Sequence, residues 1–311
     1  MTLAQHVRTL GRGPGRARSL TRDEAFDAMT GMLREDAAPE AVGALLMLLR
    51  MKGETAEEIA GFATAAQAGM PALGHADLDW PSYAAGRTRG APWFLLSAKL
   101  VAAAGHRVLL HGWNGADPKV RAGLEHVGIA VAATPDDAAR VMDRDGIAYL
   151  PLEAAYPALF RLLNLRDVLG LRSCVNTVCR MLNPGRAVAS VQGVFHPSYR
   201  LLQADAAALL GWDALTVIKG GGGEFERHPA KDVSGFGLRQ GAPWEARFPA
   251  LRHENRRLSG DDPAPDLGAV SDFETDIITG TAALAFDTLG VADSQRVARH
   301  AWDMHRAARA A

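Results

Sequence analysis

The sequence predicts a small N-terminal helical unit followed by a larger α/β unit, whose mostly parallel central sheet is flanked by helices. Residues 21–70 carry repeated helix-capping signals in front of apolar residues at helical spacing. From about residue 80, short apolar runs alternate with helical stretches, the order that gives parallel strands joined by right-handed crossovers. The chain has 311 residues, 48% hydrophobic and 22% charged, which suits a globular protein with a sizeable core.

In chain order, Thr21 with Glu24 forms a capping box ahead of Ala25, Met29, Met32 and Leu33. The apolar run 41–51 predicts a second helix, stopped at Lys52-Gly53. Thr55 with Glu58 repeats the capping box before Ile59, Phe62 and Ala66, and Pro71 closes the unit. Helices this apolar in so small a unit need a partner, and a second copy of the chain supplies one. Beyond residue 80, helices are predicted over 91–104, 119–127, 135–142 and 201–210. Strands are predicted over 107–111, 129–132, 147–150, 188–194 and 214–219. Residues 156–182 read as two helices with no strand between them, placed to rejoin the N-terminal unit. A helix pair, 273–289 and 294–308, follows. The expected domains are 1–75, helical, and 76–311, α/β.

Composition excludes several classes. No run of 18 apolar residues lacks a charge, so no membrane partner is expected. The first 22 residues have no apolar core of a secretory signal, and a cytoplasmic location is expected. Cys174 and Cys179 alone cannot build a disulfide framework or a zinc site. The net charge of −1 hides an uneven distribution. Arg8, Arg12, Arg16, Arg18 and Arg22 precede the first acid, and Arg247, Arg252, Arg256 and Arg257 cluster, while acids gather over 261–276.

Gly220, Gly221, Gly222 and Gly223 follow a predicted strand, at the edge where open α/β sheets bind ligands. Their amides can form an anion nest, with Lys219 or Arg227 supplying charge and Glu224 and Glu226 as candidate magnesium ligands. The alternative is a solvated, flexible turn. It is no Walker A motif, because the lysine precedes the glycines. Residues 220–231 and 252–262 both read as mobile.

The segment Leu165-Arg166-Asp167-Val168-Leu169-Gly170-Leu171-Arg172-Ser173, then Asn176, Asn183-Pro184 and Gln192-Gly193-Val194-Phe195-His196-Pro197, resembles the anthranilate phosphoribosyltransferase family of glycosyltransferases. The stretch Leu48-Leu49-Arg50-Met51-Lys52-Gly53-Glu54 is similar to that family too. The resemblance covers nearly the whole chain. It implies a helical domain that makes the dimer, an α/β domain, and a ligand cleft between them. It also implies that Arg172 contacts an aromatic acceptor.

The sites that hold phosphoribosyl diphosphate in the family do not match. A glycine–threonine–glycine–glycine–aspartate loop is replaced by Gly86-Arg87-Thr88-Arg89-Gly90. The second signature keeps His111 and Gly112 but has Trp113 and Asn114 where asparagine and arginine stand in the family. The family's aspartate–glutamate magnesium pair falls on Phe225-Glu226. Charge-assisted contacts are worth on the order of 1.5–3 kcal/mol each, so losing several removes transition-state stabilisation by orders of magnitude.

The string Leu10-Gly11-Arg12-Gly13 to Ala25 resembles a divergent, YbiB-like branch, which implies a nucleic-acid-binding homodimer. Arg12, Arg16, Arg18, Arg87, Arg89, Lys119, Arg121, Arg172, Lys219, Arg227 and Lys231 are then expected to track a phosphate backbone, single-stranded in preference to duplex. Trp93 and Trp113 are candidates to stack unpaired bases. No cofactor is expected on this reading. The alternative is a transferase using a sugar diphosphate and Mg2+ with an unidentified acceptor.

Overall fold

The computed structural model describes residues 2–13, 15–71, 73–84, 90–115, 118–254, 256 and 270–310. The N-terminal unit comprises α1 (Leu3–Gly11), α2 (Arg22–Leu33), α3 (Pro39–Lys52) and α4 (Ala56–Ala68). Both expected capping boxes form: Thr21 accepts from the amide of Glu24, and Thr55 from that of Glu58. Helix α3 buries Val42, Leu45, Leu46 and Leu49, each such side chain contributing about 1.5–3 kcal/mol. Gly61 lets α2 and α4 touch, since a Cβ there would lie 2.3 Å from the carbonyl oxygen of Arg22.

The α/β unit then runs β1 (Leu78–Ser82), α5 (Phe94–Ala103), β2 (Val108–Gly112), α6 (Lys119–His126), α7 (Pro135–Asp145), β3 (Ile147–Pro151), α8 (Leu152–Ala155), α9 (Pro157–Leu169) and α10 (Val175–Arg180). It continues with β4 (Ala189–Val194), α11 (Tyr199–Leu209), β5 (Ala214–Lys219), β6 (Val233–Arg239), β7 (Ala242–Phe248), α12 (Asp272–Thr288) and α13 (Ser294–Ala310). The seven-stranded sheet has the order β3-β2-β1-β4-β5-β6-β7. Pairing is parallel from β3 through β5 and antiparallel for β6 and β7.

One apolar core carries Trp80, Phe94, Phe225, Ile278, Phe286 and Trp302, joining the sheet to α5, α12 and α13. Another runs from the N-terminal helices through Leu159, Leu162, Val175 and Val178 to Val194, Leu215 and Val217. Helices α9 and α10 thus pack on the N-terminal unit, and α9, α10 and the end of β4 bound a cleft.

The structure differs from the sequence expectation in places. Strand β1 went unpredicted because Pro81 and Asp79 interrupt its apolar pattern. Its pairing with β4 stops at Asp79↔Ser190, so the missing N–H of Pro81 falls beyond that ladder. The β6–β7 hairpin was hidden by its glycines and proline; it turns on Gln240 and Gly241, both at positive φ (52° and 72°). The expected strand 129–132 is reduced to one bridge, Val131↔Tyr149. Residues 223–227, expected to be mobile, are buried. Most of 252–262 lies outside the described residues.

Three arginines of the second basic cluster are paired internally. Arg247 Nε donates to Asp232 at 2.9 Å, Arg252 pairs with Asp276, and Arg256 approaches Glu274 at 3.4 Å.

Candidate ligand cleft

The strand ends come first. Chain 220–226 folds back over the C-terminal ends of β4 and β5. Gly193 is required for that: a Cβ there would stand 2.0 Å from the carbonyl carbon of Glu224. A Cβ on Gly220 would meet the carbonyl oxygen of Glu224 at 1.6 Å, and one on Gly112 the carbonyl oxygen of Ser82 at 1.9 Å. These glycines serve backbone contact. The anion nest is not what they build, because the amides of Gly220, Gly221, Gly223 and Glu224 donate to the carbonyls of Val194, Glu226, Gly220 and Gly221.

Beneath this loop, Glu224 Oε1 accepts from Ser82 Oγ at 3.0 Å, the Ala84 amide at 3.1 Å and Asn114 Nδ2 at 3.3 Å. Tyr149 donates its hydroxyl to Asn114 Oδ1 at 3.2 Å. Glu226 Oε2 accepts from the Phe94 amide at 3.1 Å, at the start of α5. Phe225, between the two glutamates, enters the core and meets the Trp80 ring edge-on at 5.4 Å. The two-carboxylate pair is incomplete here: Phe225 puts a buried phenyl ring at one position, and one oxygen each of Glu224 and Glu226 accepts from donors of its own chain. Among the described residues, no group of three or more His, Cys, Asp or Glu could hold a metal ion.

A second polar network lies beside it. His111 Nδ1 is 2.9 Å from the Tyr83 hydroxyl, and His111 Nε2 is 3.0 Å from Asp79. Ser190 Oγ donates to Asp79 Oδ2 at 2.7 Å, and Asn176 Nδ2 to the Tyr83 carbonyl at 3.2 Å. Burial pushes the Tyr83 hydroxyl well above the usual phenol range. His111 is therefore a packed structural residue holding β1 to β2.

The open space adjoins this network. A cleft of about 450 Å³ is lined by Arg50, Arg166, Arg172, Arg180, Asn176, Thr177, Phe195, His196 and Tyr199, among others. Among its described lining residues Asp167 is the acid, and its Oδ1 lies 3.6 Å from Arg166 Nε. Arg180 is buried; its Nε donates to the Gly193 carbonyl at 3.2 Å and its Nη1 to the Asn176 carbonyl at 3.1 Å. Partial burial, followed by the charges of Arg166 and Arg50, holds the Arg172 guanidinium below its usual value. Guanidinium groups stay protonated in proteins, so the shift reflects first the half-burial of Arg172 and second the like charges of Arg166 and Arg50 nearby. An anion bound there relieves that repulsion.

Among the described residues, Arg172 is the one expected contact residue that lines this cleft. Arg18 is engaged by Glu24 at 2.6 and 2.7 Å. Arg121 pairs with Glu153 at 2.7 Å and covers the Tyr149 ring. Arg227 is buried, donates to the Pro249 carbonyl at 2.6 Å, and lies over Phe248. Lys119 opens α6, half-buried, while Arg12, Arg16, Lys219 and Lys231 are exposed. Gly86, Arg87 and Arg89 lie outside the described residues; Gly90 is buried. Trp93 packs against the core, and Trp113 packs on Phe160 at 5.7 Å. Trp113, half-buried, also lines a small recess with Arg166, Arg172 and Asn176. Arg50, Arg166, Arg180 and Phe195 were not singled out as contact residues; the Arg166-x5-Arg172 spacing after an apolar helix was the available signal.

Two family models match the chain. The helical bundle domain of the glycosyl transferase family matches residues 5–69, and its a/b domain matches residues 94–240. The anthranilate phosphoribosyltransferase of Haloarcula marismortui is 31% identical over 300 residues, covering 88% of each chain. That of Geobacillus kaustophilus is 28% identical over 230 residues, covering 72% of this chain and 68% of the relative. Among solved structures, anthranilate phosphoribosyltransferase from Thermus thermophilus superposes with a TM-score of 0.79 at 22% identity, covering 96% of this chain and 92% of that one. The Saccharomyces cerevisiae enzyme in complex with PRPP and Mg gives 0.75 at 16% identity, with the same coverage.

Proposed function

We propose that this chain, which belongs to the anthranilate phosphoribosyltransferase family, uses its inter-domain cleft to hold a single nucleic-acid strand by its phosphates, as a homodimer joined through the N-terminal helices. The observation that carries this reading is the crowding of Arg50, Arg166 and Arg172 around one open space, with Arg180 behind them. Guanidinium forks match phosphate oxygens, and displacing counterions from the strand adds a salt-dependent driving force. Contacts of this kind position a backbone and read little sequence. The donor side supports the same reading, because Phe225 faces the core and Glu224 is engaged by Ser82, Ala84 and Asn114.

A second reading is phosphoribosyl transfer from a sugar diphosphate to an anionic aromatic acceptor. The observation that favours it is the position of Arg172 and Asn176 on one cleft wall, together with similarity to relatives named for that activity. On this reading Arg172 orients the acceptor's carboxylate and Asn176 its polar edge. Magnesium, when bound, neutralises charge on the donor diphosphate.

Fluorescence anisotropy with a short labelled single-stranded oligonucleotide, titrated at several salt concentrations, separates the two. The expected result is salt-dependent binding that Arg166→Ala/Arg172→Ala weakens. Binding that the double variant leaves untouched contradicts the reading. Product formation from phosphoribosyl diphosphate, magnesium and anthranilate supports the second.

A further inference from the structure

Phe195 is 58% exposed although it directly follows Val194, the buried last residue of β4. The strand end just before it is tied down, and Gly223 packs against it. Arg180 Nε donates to the carbonyl of Gly193, and a Cβ on Gly223 would meet the Cβ of Phe195 at 3.5 Å. The ring stands nearly perpendicular to His196, at 82° and 5.0 Å. Both rings line the cleft that Arg166, Arg172 and Arg180 make cationic, and Leu171, 47% exposed, lines it too. An exposed phenyl on a rigid strand end has an apolar surface left in water and little conformational entropy to lose on binding.

Guanidinium groups beside an exposed aromatic ring are the pairing by which proteins take single strands: charge tracks the backbone while a base stacks on the ring. We propose that Phe195 is the stacking platform for one unpaired base, so that the cleft selects single strands over duplex and sets the strand's register against the arginines. This inference rests on the nucleic-acid reading above and adds to it a specific contact and a strand preference. In a duplex the bases are already stacked and paired, so the ring gains nothing unless a base is unstacked at a cost.

The test compares wild type, Phe195→Ala and Phe195→Trp on a single-stranded oligonucleotide and on a duplex, across salt concentrations. The expected loss for Phe195→Ala is on the order of 5- to 150-fold on the single strand. Its salt slope and its duplex affinity should stay at the wild-type values, and Phe195→Trp should restore binding. Equal single-strand affinity of Phe195→Ala and wild type overturns the inference while leaving the arginine cleft standing. So does an equal loss on both substrates. A wild-type chain that binds neither substrate overturns the nucleic-acid reading and this one with it.

Discussion

At the scale of single residues, the cations of the cleft are held in place by specific neighbours. Arg180 is fixed by two backbone carbonyls, and Arg172 is crowded by Arg166 and Arg50. Each arginine that meets one phosphate of a single strand contributes about 0.7 to the slope of log affinity against log salt. Arg172→Ala should lower affinity and flatten that slope by about this amount; a parallel shift with unchanged slope counts against a phosphate contact. Elsewhere, a charge pair serves stability. Hydrogen bonding to Arg18 holds the Glu24 carboxyl down to about 2. The sign follows from the lowered value: the contribution is complete above the unfolded carboxyl's 4.5 and is lost as pH falls towards 2. Urea unfolding of Arg18→Ala between those limits should show a flatter pH dependence than wild type. An unchanged profile would remove the Arg18 pairing as its cause.

Elements are held by contacts that span the chain. Glu58 is fully buried and accepts from the Leu20 amide at 2.8 Å, the Thr55 amide at 2.9 Å and Lys52 Nζ at 2.8 Å. It closes the α4 cap and ties the segment before α2 to the end of α3. Glu58→Ala leaves the buried Leu20 amide without an acceptor, at a cost of about 1–3 kcal/mol, and also frees the part-buried Thr55 amide. The denaturant midpoint should fall accordingly with an unchanged m value, and a neutral result would contradict this account of the cap. Gly193→Ala drives a Cβ into the backbone of Glu224 at 2.0 Å, so the 220–226 chain must lift from β4. Melting temperature and oligonucleotide affinity should drop together; wild-type values for both would show that the loop is not packed as described. Local rules made most elements legible in sequence. Capping boxes at Thr21 and Thr55 and apolar periodicity placed α2, α3 and α4 and the strands from β2 to β5. Strand β1 and the β6–β7 hairpin were concealed because Pro81, Gly235 and Gly237 carry low strand propensity and are tolerated only through tertiary contacts. The cleft was legible in part. Arg172 came from a resemblance, but which remaining cations were free depended on pairing over long sequence separations. Arg121 meets Glu153, and Arg227 disappears under the chain that carries Pro249. No local pattern announces either.

For the whole molecule, an apolar core runs from the N-terminal helices through α9, α10 and α11 to one face of the sheet. The cleft walls therefore share a core, which favours a preformed site over one assembled by domain closure. The N-terminal helices keep Met51, 82% exposed, and Phe26, 39% exposed, on their surface. Light scattering is expected to report twice the 33.1 kDa chain mass, and a monomer at micromolar concentration would contradict the proposed dimer. The most direct measurement of which anion the cleft holds is the melting temperature with a short single-stranded oligonucleotide, compared with phosphoribosyl diphosphate with and without magnesium, since a ligand that binds only the folded state raises it. The expected result is a rise with the oligonucleotide and no magnesium-dependent rise with the sugar diphosphate. A magnesium-dependent rise with the sugar diphosphate and none with the oligonucleotide would contradict it.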